Sequence, residues 1–363
     1  MSRPVQPDPV ESLLAGYVEQ GWMPGAVWWV EGPNGPLSRG ALGHATTLPA
    51  PERARISTPY DLASLTKMLV TAPLLVLMDQ DGVLSLDAPV GGFVPELSGS
   101  DYAEASLREL ASHTARLPAW SPLYVGAGSM EGYVRKIADL PPAVRPGATL
   151  YSDLGFILLG AVIERVSGIG LDPLFAKRIA LPLGLRRTGY AGVPELFADA
   201  AATELGNGYE RNLAGDPRAS HDWRTQLLRG EVHDANAHGL GGVAGHAGLF
   251  GVAEEVAKIA REFLRPARLG LGPQALERLL IPVPGTEGRT VGLVVAAHST
   301  AARGALPDTA VGHTGFTGTS LWLDPSAGRI FLLLTNRVHP TVEERDFQTV
   351  RREFHRVAAS LPG

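Results

Sequence analysis

The chain contains no cysteine among its 363 residues. Disulfides, zinc–thiolate centres and a cysteine nucleophile are therefore excluded. Lysine is scarce, with only Lys67, Lys136, Lys177 and Lys258, and no dense run of Lys or Arg occurs. The formal net charge is −5. Binding to nucleic acid or to an anionic membrane runs mainly on phosphate neutralisation, so neither is expected as a partner. Long apolar runs are also missing: the longest, Met68 to Met78, contains Pro73 and is too short to span a bilayer. A secretory leader needs a basic start followed by an unbroken apolar stretch. Pro4, Pro7 and Asp8 interrupt the place where it would lie, which leads us to expect a soluble, cytoplasmic protein. There is no HExxH, no Walker phosphate loop, no well-placed GxGxxG and no GxSxG nucleophile elbow. The nearest approach to the last, Pro36-Leu37-Ser38-Arg39-Gly40, lacks the first glycine.

What is present is a globular composition, 45% hydrophobic and 19% charged. The length allows a large core without staples. No internal repeat or low-complexity tract occurs, and the Pro-rich residues 1–9 read as a loose tail. Ala26 to Glu31 (AVWWVE) reads as a strand running into the turn Gly32 to Pro36, with a second strand near 37–43 completing a hairpin. Ser64 to Gly82 has helical spacing, with Pro73 expected to kink it or mark its local end. Residues 154–167 read as a buried helix closed by Gly168, and 252–264 as an amphipathic helix with acids in its first turn. Runs near 290–297, 309–314, 318–324 and 329–335 read as strands, with Asp324 to Gly328 as a turn, before a final helix over 341–359. Trp22, Trp28 and Trp29 are assigned to the core.

This layout predicts an α+β fold. One antiparallel sheet is built from both chain ends and flanked by helices, with a helix-rich middle lobe. The whole chain, 1–363, reads as a single catalytic unit. Its sheet lobe comes from about 10–63 and 250–363, and its helical lobe from about 64–249.

Three segments carry chemistry. In Ser64-Leu65-Thr66-Lys67 the serine and lysine share one helix face. A serine hydroxyl is a weak nucleophile until a base takes its proton, and a lysine can serve only if its pKa is lowered. The helix start also offers a backbone N–H to a developing oxyanion. Tyr151-Ser152-Asp153 follows the Pro146-Gly147 turn and precedes the buried helix, so the phenol can project into a cleft as base or relay. His313-Thr314-Gly315-Phe316-Thr317-Gly318 lies in the strand region, where a glycine marks close approach of a ligand or another backbone.

Taken in the order Ser64, Tyr151, His313, these segments resemble the penicillin-recognising serine hydrolases. That superfamily contains the serine β-lactamases, D,D-carboxypeptidases and β-lactamase-like esterases; the class C β-lactamase branch is the most similar. Tyr60 to Lys67, Leu110 to Pro118, Pro146 to Gly160, Leu181 to Gly184 and Gly312 to Gly315 support the resemblance, which covers nearly the whole chain. It implies a β-lactamase/transpeptidase-like fold and acylation of Ser64, with Lys67 and Tyr151 shuttling the proton. The order of those two as base is left open. The backbone N–H groups of Ser64 and Phe316 would form the oxyanion hole. Asp153, His313, Thr314 and Gly315 would contact substrate, His313 and Thr314 near any carboxylate.

Two positions depart from the family pattern. Asp153 replaces the usual Asn, and a carboxylate beside Lys67 would hold that lysine charged and favour Tyr151 as base. His313 replaces the lysine of β-lactamases, giving a weaker, pH-dependent positive charge and arguing against a dedicated β-lactamase. His233, Asp234, His238 and His246 form a further cluster. Their spacing suits cleft wall better than a metal site, so neither metal nor cofactor is expected. The expected function is hydrolysis of a small ester or amide through an acyl-enzyme. The alternative is a D,D-carboxypeptidase or D-amino-acid peptidase. A true β-lactamase, a silent sensor and a metallohydrolase rank below.

Overall fold

A computed structural model describes residues 8–191, 194–215 and 221–362. Most of the loose tail expected over 1–9 lies outside these residues. Its last two residues are not loose: Asp8 Oδ1 accepts the Val10 N–H at 2.8 Å, and Pro9 opens a helix, Pro9–Glu19, not foreseen from the sequence. A proline suits that position because its missing N–H would have no helical partner.

The strands are β1 (Gly25–Gly32), β2 (Gly35–Thr46), β3 (Glu52–Arg53), β4 (Tyr60–Asp61), β5 (Gly189–Tyr190), β6 (Leu249–Gly251), β7 (Val294–Val295), β8 (Val311–Thr314), β9 (Ser320–Asp324) and β10 (Arg329–Thr335). Seven form one antiparallel sheet in the order β3-β2-β1-β10-β9-β8-β7. Strands from the two chain ends meet where β1 pairs β10, with Trp28 opposite Leu333. Three short strands form a second sheet, β4-β6-β5, which the sequence did not announce.

Both faces of the large sheet are covered, so its central strands are mainly apolar, with buried Glu31, Ser320 and Asp324 among the exceptions. Side chains alternate between faces along a strand. Ile330, Leu332 and Leu334 enter the main core with Val27 and Trp29, against helix Ala253–Leu264. Phe331 and Leu333 face the other way, with Trp28, and pack on helices Pro9–Glu19 and Gln348–Ala359. Trp22 sits only half-buried at the rim of that second core.

Several expected elements are shorter than anticipated, among them the strand expected over 309–314, which starts at Val311. The run 290–297 yields only the two residues of β7, followed by a helical turn, Ala296–His298. Gly292 has φ +85° and donates its N–H to Ala111 O, and a Cβ there would meet the Ala72 Cβ at 2.6 Å. The segment crosses tightly over another helix instead of pairing. The strand expected from 318 starts at Ser320, because Gly318 has φ +100°. The last helix starts at Gln348, whose N–H is taken by Asp346 Oδ1 at 3.2 Å.

Among the described residues no single helix is long and apolar enough to cross a membrane. The bent pair Asp153–Ser167 and Leu171–Leu183 passes on length and composition, but the first of these is the buried core helix.

Candidate active site

Ser64 precedes a helical segment that opens as a π-turn, Lys67–Thr71, and continues as the α-helix Ala72–Gln80. Pro73, which has no N–H to give, lies where the wide turn tightens. Ala63, just before the serine, has φ 49°, a left-handed conformation that costs a non-glycine residue about 1–2 kcal/mol. Asp61 Oδ1 accepts the Ala63 N–H at 2.8 Å and Thr66 Oγ1 donates to Ala63 O at 2.7 Å, which holds the turn. From the other side, Thr317 Oγ1 donates to Asp61 O at 2.8 Å and Thr319 Oγ1 to Leu62 O at 3.2 Å. The strand with Gly315 is thereby pinned to the serine loop. A Cβ on Gly315 would meet Thr319 Oγ1 at 2.1 Å and Leu62 O at 2.7 Å, so the expected close approach of two backbones is real.

Lys67 is fully buried. Its Nζ donates to Ser64 Oγ at 2.8 Å and to His246 O at 3.1 Å, and stands 2.7 Å from Asp153 Oδ1. Burial alone would lower its pKa; the Asp153 carboxylate and the Tyr151 oxygen outweigh it and raise the net value, so the ammonium persists. Tyr151 Oη lies 2.9 Å from Ser64 Oγ and 3.1 Å from Asp153 Oδ1. Burial and then Asp153 push its pKa up to about 12. One phenol has one proton. Given to the carboxylate, which can only accept, it leaves the Tyr151 oxygen free to accept from Ser64. His113 seats the tyrosine: its ring lies 4.7 Å from that of Tyr151 and its Nδ1 accepts the Ser152 N–H at 3.1 Å. Among the described residues, neither the Ser64 nor the Phe316 backbone N–H donates to a protein acceptor.

His313 departs from expectation. It is 5% exposed, and burial, with Lys67 and Arg289 nearby, pulls its pKa down to about 3. The ring is neutral: Nδ1 donates to Thr314 O at 2.7 Å and Nε2 is left without a partner. The pH-dependent positive charge expected there is therefore absent. Arg289 supplies a cation in that cleft. Its guanidinium carbon lies 5.8 Å from the Tyr151 ring centroid, and its side chain donates to no described protein group. Nothing in the surrounding sequence, Glu287-Gly288-Arg289-Thr290, singles it out.

The serine opens onto two adjoining cavities, and Ser64, Asp153 and Phe316 line both. The larger, about 430 Å³, is basic and includes Arg289, Arg337, Arg351, His313 and Thr314. The smaller, about 190 Å³, is acidic and aromatic. His233 and Asp234 line the smaller one, as expected of cleft wall. The four residues of the histidine cluster do not converge. His246 Nε2 lies 2.8 Å from Asp234, His233 Nε2 lies 3.0 Å from Glu204, and the exposed His238 lies 3.9 Å from Glu231. Among the described residues no group of His, Asp and Glu is arranged to hold a metal ion.

The model of the family described as Beta-lactamase matches residues 10–354. The chain belongs to the beta-lactamase family. Within this family it is 31% identical over 322 residues to a protein of Escherichia coli (strain K12) named "Putative D-alanyl-D-alanine carboxypeptidase", which covers 81% of this chain and 72% of that one. A Salmonella newport (strain SL254) protein of the same name is 30% identical over 328 residues, covering 82% and 74%. Among solved structures, EstCE1, "a hydrolase with promiscuous acyltransferase activity", superposes with TM-score 0.73 at 21% identity, covering 96% of this chain and 97% of that one. The octameric penicillin-binding protein homologue from Pyrococcus abyssi gives 0.71 at 21% identity, covering 92% and 74%. As a beta-lactamase-family protein the chain is a serine hydrolase with the β-lactamase/transpeptidase-like fold.

Proposed function

We propose that this hydrolase cleaves small esters or amides through an acyl-enzyme on Ser64. The observation that carries the reading is the convergence of Lys67 Nζ and Tyr151 Oη on Ser64 Oγ, at 2.8 and 2.9 Å. In this proposal Lys67 remains an ammonium and orients the serine. Ser64 Oγ attacks the carbonyl while its proton passes to Tyr151, whose own proton moves to Asp153. The backbone N–H groups of Ser64 and Phe316 receive the oxyanion. The same path in reverse protonates the leaving group as its bond to the carbonyl carbon breaks. Water, deprotonated along the same path, then releases the acid and restores Ser64.

Arg289 favours a second reading. A desolvated guanidinium with no protein partner suits a carboxylate on the departing group. A peptide ending in a D-amino acid has such a carboxylate, and the relatives' names point the same way.

The test is hydrolysis of p-nitrophenyl butyrate by wild type and Ser64→Ala, with and without penicillin, alongside D-alanine release from a D-Ala-D-Ala peptide. Turnover that vanishes in the variant, with its thermal melt unchanged, supports the nucleophile. Substantial residual turnover would sink it. Penicillin sensitivity with D-alanine release selects the peptidase reading, and butyrate turnover alone selects the esterase.

A further inference from the structure

The smaller cavity differs in chemistry from the basic one. It is lined by Glu210, Asp234, Trp120, Tyr209, Leu213 and Phe316, among others. Glu210 is 5% exposed: Oε1 accepts the Ala235 N–H at 2.8 Å, while Oε2 has no partner. A buried oxygen without a donor is costly and awaits one. Asp234 keeps a negative charge next to it; burial opposes that charge, but His246 and the Ala237 N–H hold its pKa well below the usual range. Burial, then the Asp234 charge, raises the Glu210 carboxyl well above its usual value, as expected of a carboxylate whose charge needs a cation beside it. The aromatic wall, with Tyr209 and Phe316 rings 4.9 Å apart, also tolerates a cation.

We infer that this cavity is an ammonium subsite, in which Glu210 Oε2 and the Asp234 charge receive the free amino group of an aminoacyl residue about to be transferred to Ser64. The inference rests on the proposed acyl-enzyme and on the basic cavity taking the leaving group. About 190 Å³ holds one small residue, not an extended chain. The basic and acidic cavities flank one serine, so the fitting substrate is a short zwitterionic peptide: ammonium at one end, carboxylate at the other, the scissile amide between. A substrate with its amine blocked by acylation loses both the charge and the donors.

The experiment measures D-alanine release from D-Ala-D-Ala and from N-acetyl-D-Ala-D-Ala, by wild type and Glu210→Gln, with p-nitrophenyl butyrate hydrolysis as a control. Wild type should favour the free amine at least tenfold in kcat/KM, and the ratio should collapse toward one in Glu210→Gln. Equal rates, preference for the acetylated peptide, a ratio unmoved by the substitution, or cleavage of neither peptide while butyrate is hydrolysed would each overturn the subsite. If wild type hydrolyses none of the three, the acyl-enzyme reading itself fails, and the subsite falls with it. Should Glu210→Gln not fold, inhibition of wild-type butyrate hydrolysis decides: D-alaninamide should inhibit at least tenfold better than its N-acetyl form, and parity would refute the inference.

Discussion

Asp153 Oδ1 lies 2.7 Å from the Nζ of Lys67, a buried lysine that also touches Ser64 Oγ. This contact keeps Lys67 protonated against the pull of burial. Asp153→Asn should therefore let the lysine pKa fall. If the ammonium is required, the alkaline limb of kcat/KM moves to lower pH, and kcat drops at least tenfold because an amide oxygen can accept the Tyr151 hydrogen bond but cannot take its proton. A pH–rate profile identical to wild type would remove Asp153 from the proton path.

Tyr151→Phe deletes the oxygen 2.9 Å from Ser64 Oγ but keeps the ring beside His113 and His313. We expect kcat to fall by about 10²–10⁴, the range for loss of a general acid–base group. The melting temperature should move little. Retained kcat on p-nitrophenyl butyrate would return the proton-handling role to Lys67.

Arg289→Gln tests the carboxylate end of the cleft. KM for a carboxylate-bearing substrate should rise at least tenfold relative to a neutral ester, since a charge-assisted hydrogen bond contributes about 1.5–3 kcal/mol. The control is a His313→Gln variant: His313 is uncharged above about pH 3, so it should leave the pH dependence of that preference between pH 5 and 8 unaltered. An unchanged substrate ratio in Arg289→Gln would show that the guanidinium does not meet the carboxylate.

Four buried histidines, His113, His313, His339 and His355, titrate below their usual value and so set the acid stability. Burial brings His313 and His355 down to about 3 and His113 well below its usual value. Unfolded, each titrates near 6.5. Between about pH 3 and 6.5 the unfolded chain thus binds more protons than the folded one, and stability rises with pH. Urea midpoints at pH 7, 6 and 5 should fall steadily, before most carboxylates titrate. His355→Gln should flatten the fall. A flat wild-type profile over that window would contradict the neutral assignments.

The sequence by itself determined the elements that carry strong local signals. The hairpin of β1 and β2 follows from an apolar run broken by Gly32-Pro33-Asn34-Gly35, and helix Asp153–Ser167 ends at Gly168, which has φ +72°. Ser64 and Lys67 are neighbours because i and i+3 share a helix face. Tyr151 and Gly315 were singled out by their local setting, but only the resemblance to a family joined them to Ser64, since local sequence says nothing of what lies 87 or more residues away.

Tertiary structure decided the rest. Helix Pro9–Glu19 exists because the outer sheet face needs cover, although its Pro-rich start looks unstructured. The short sheet β4-β6-β5 has too few residues per strand to show a period. The charge of Lys67 was foreseen from Asp153 standing where the family usually has Asn, but that of His313 was out of reach, because it depends on neighbours brought together by folding. Lys67 is charged through Asp153, 86 residues later, and His313 is neutral because burial strips its water and Lys67 and Arg289 stand near it. Residue type gives the chemistry a group is capable of, and burial with charged neighbours selects the protonation state in which it acts.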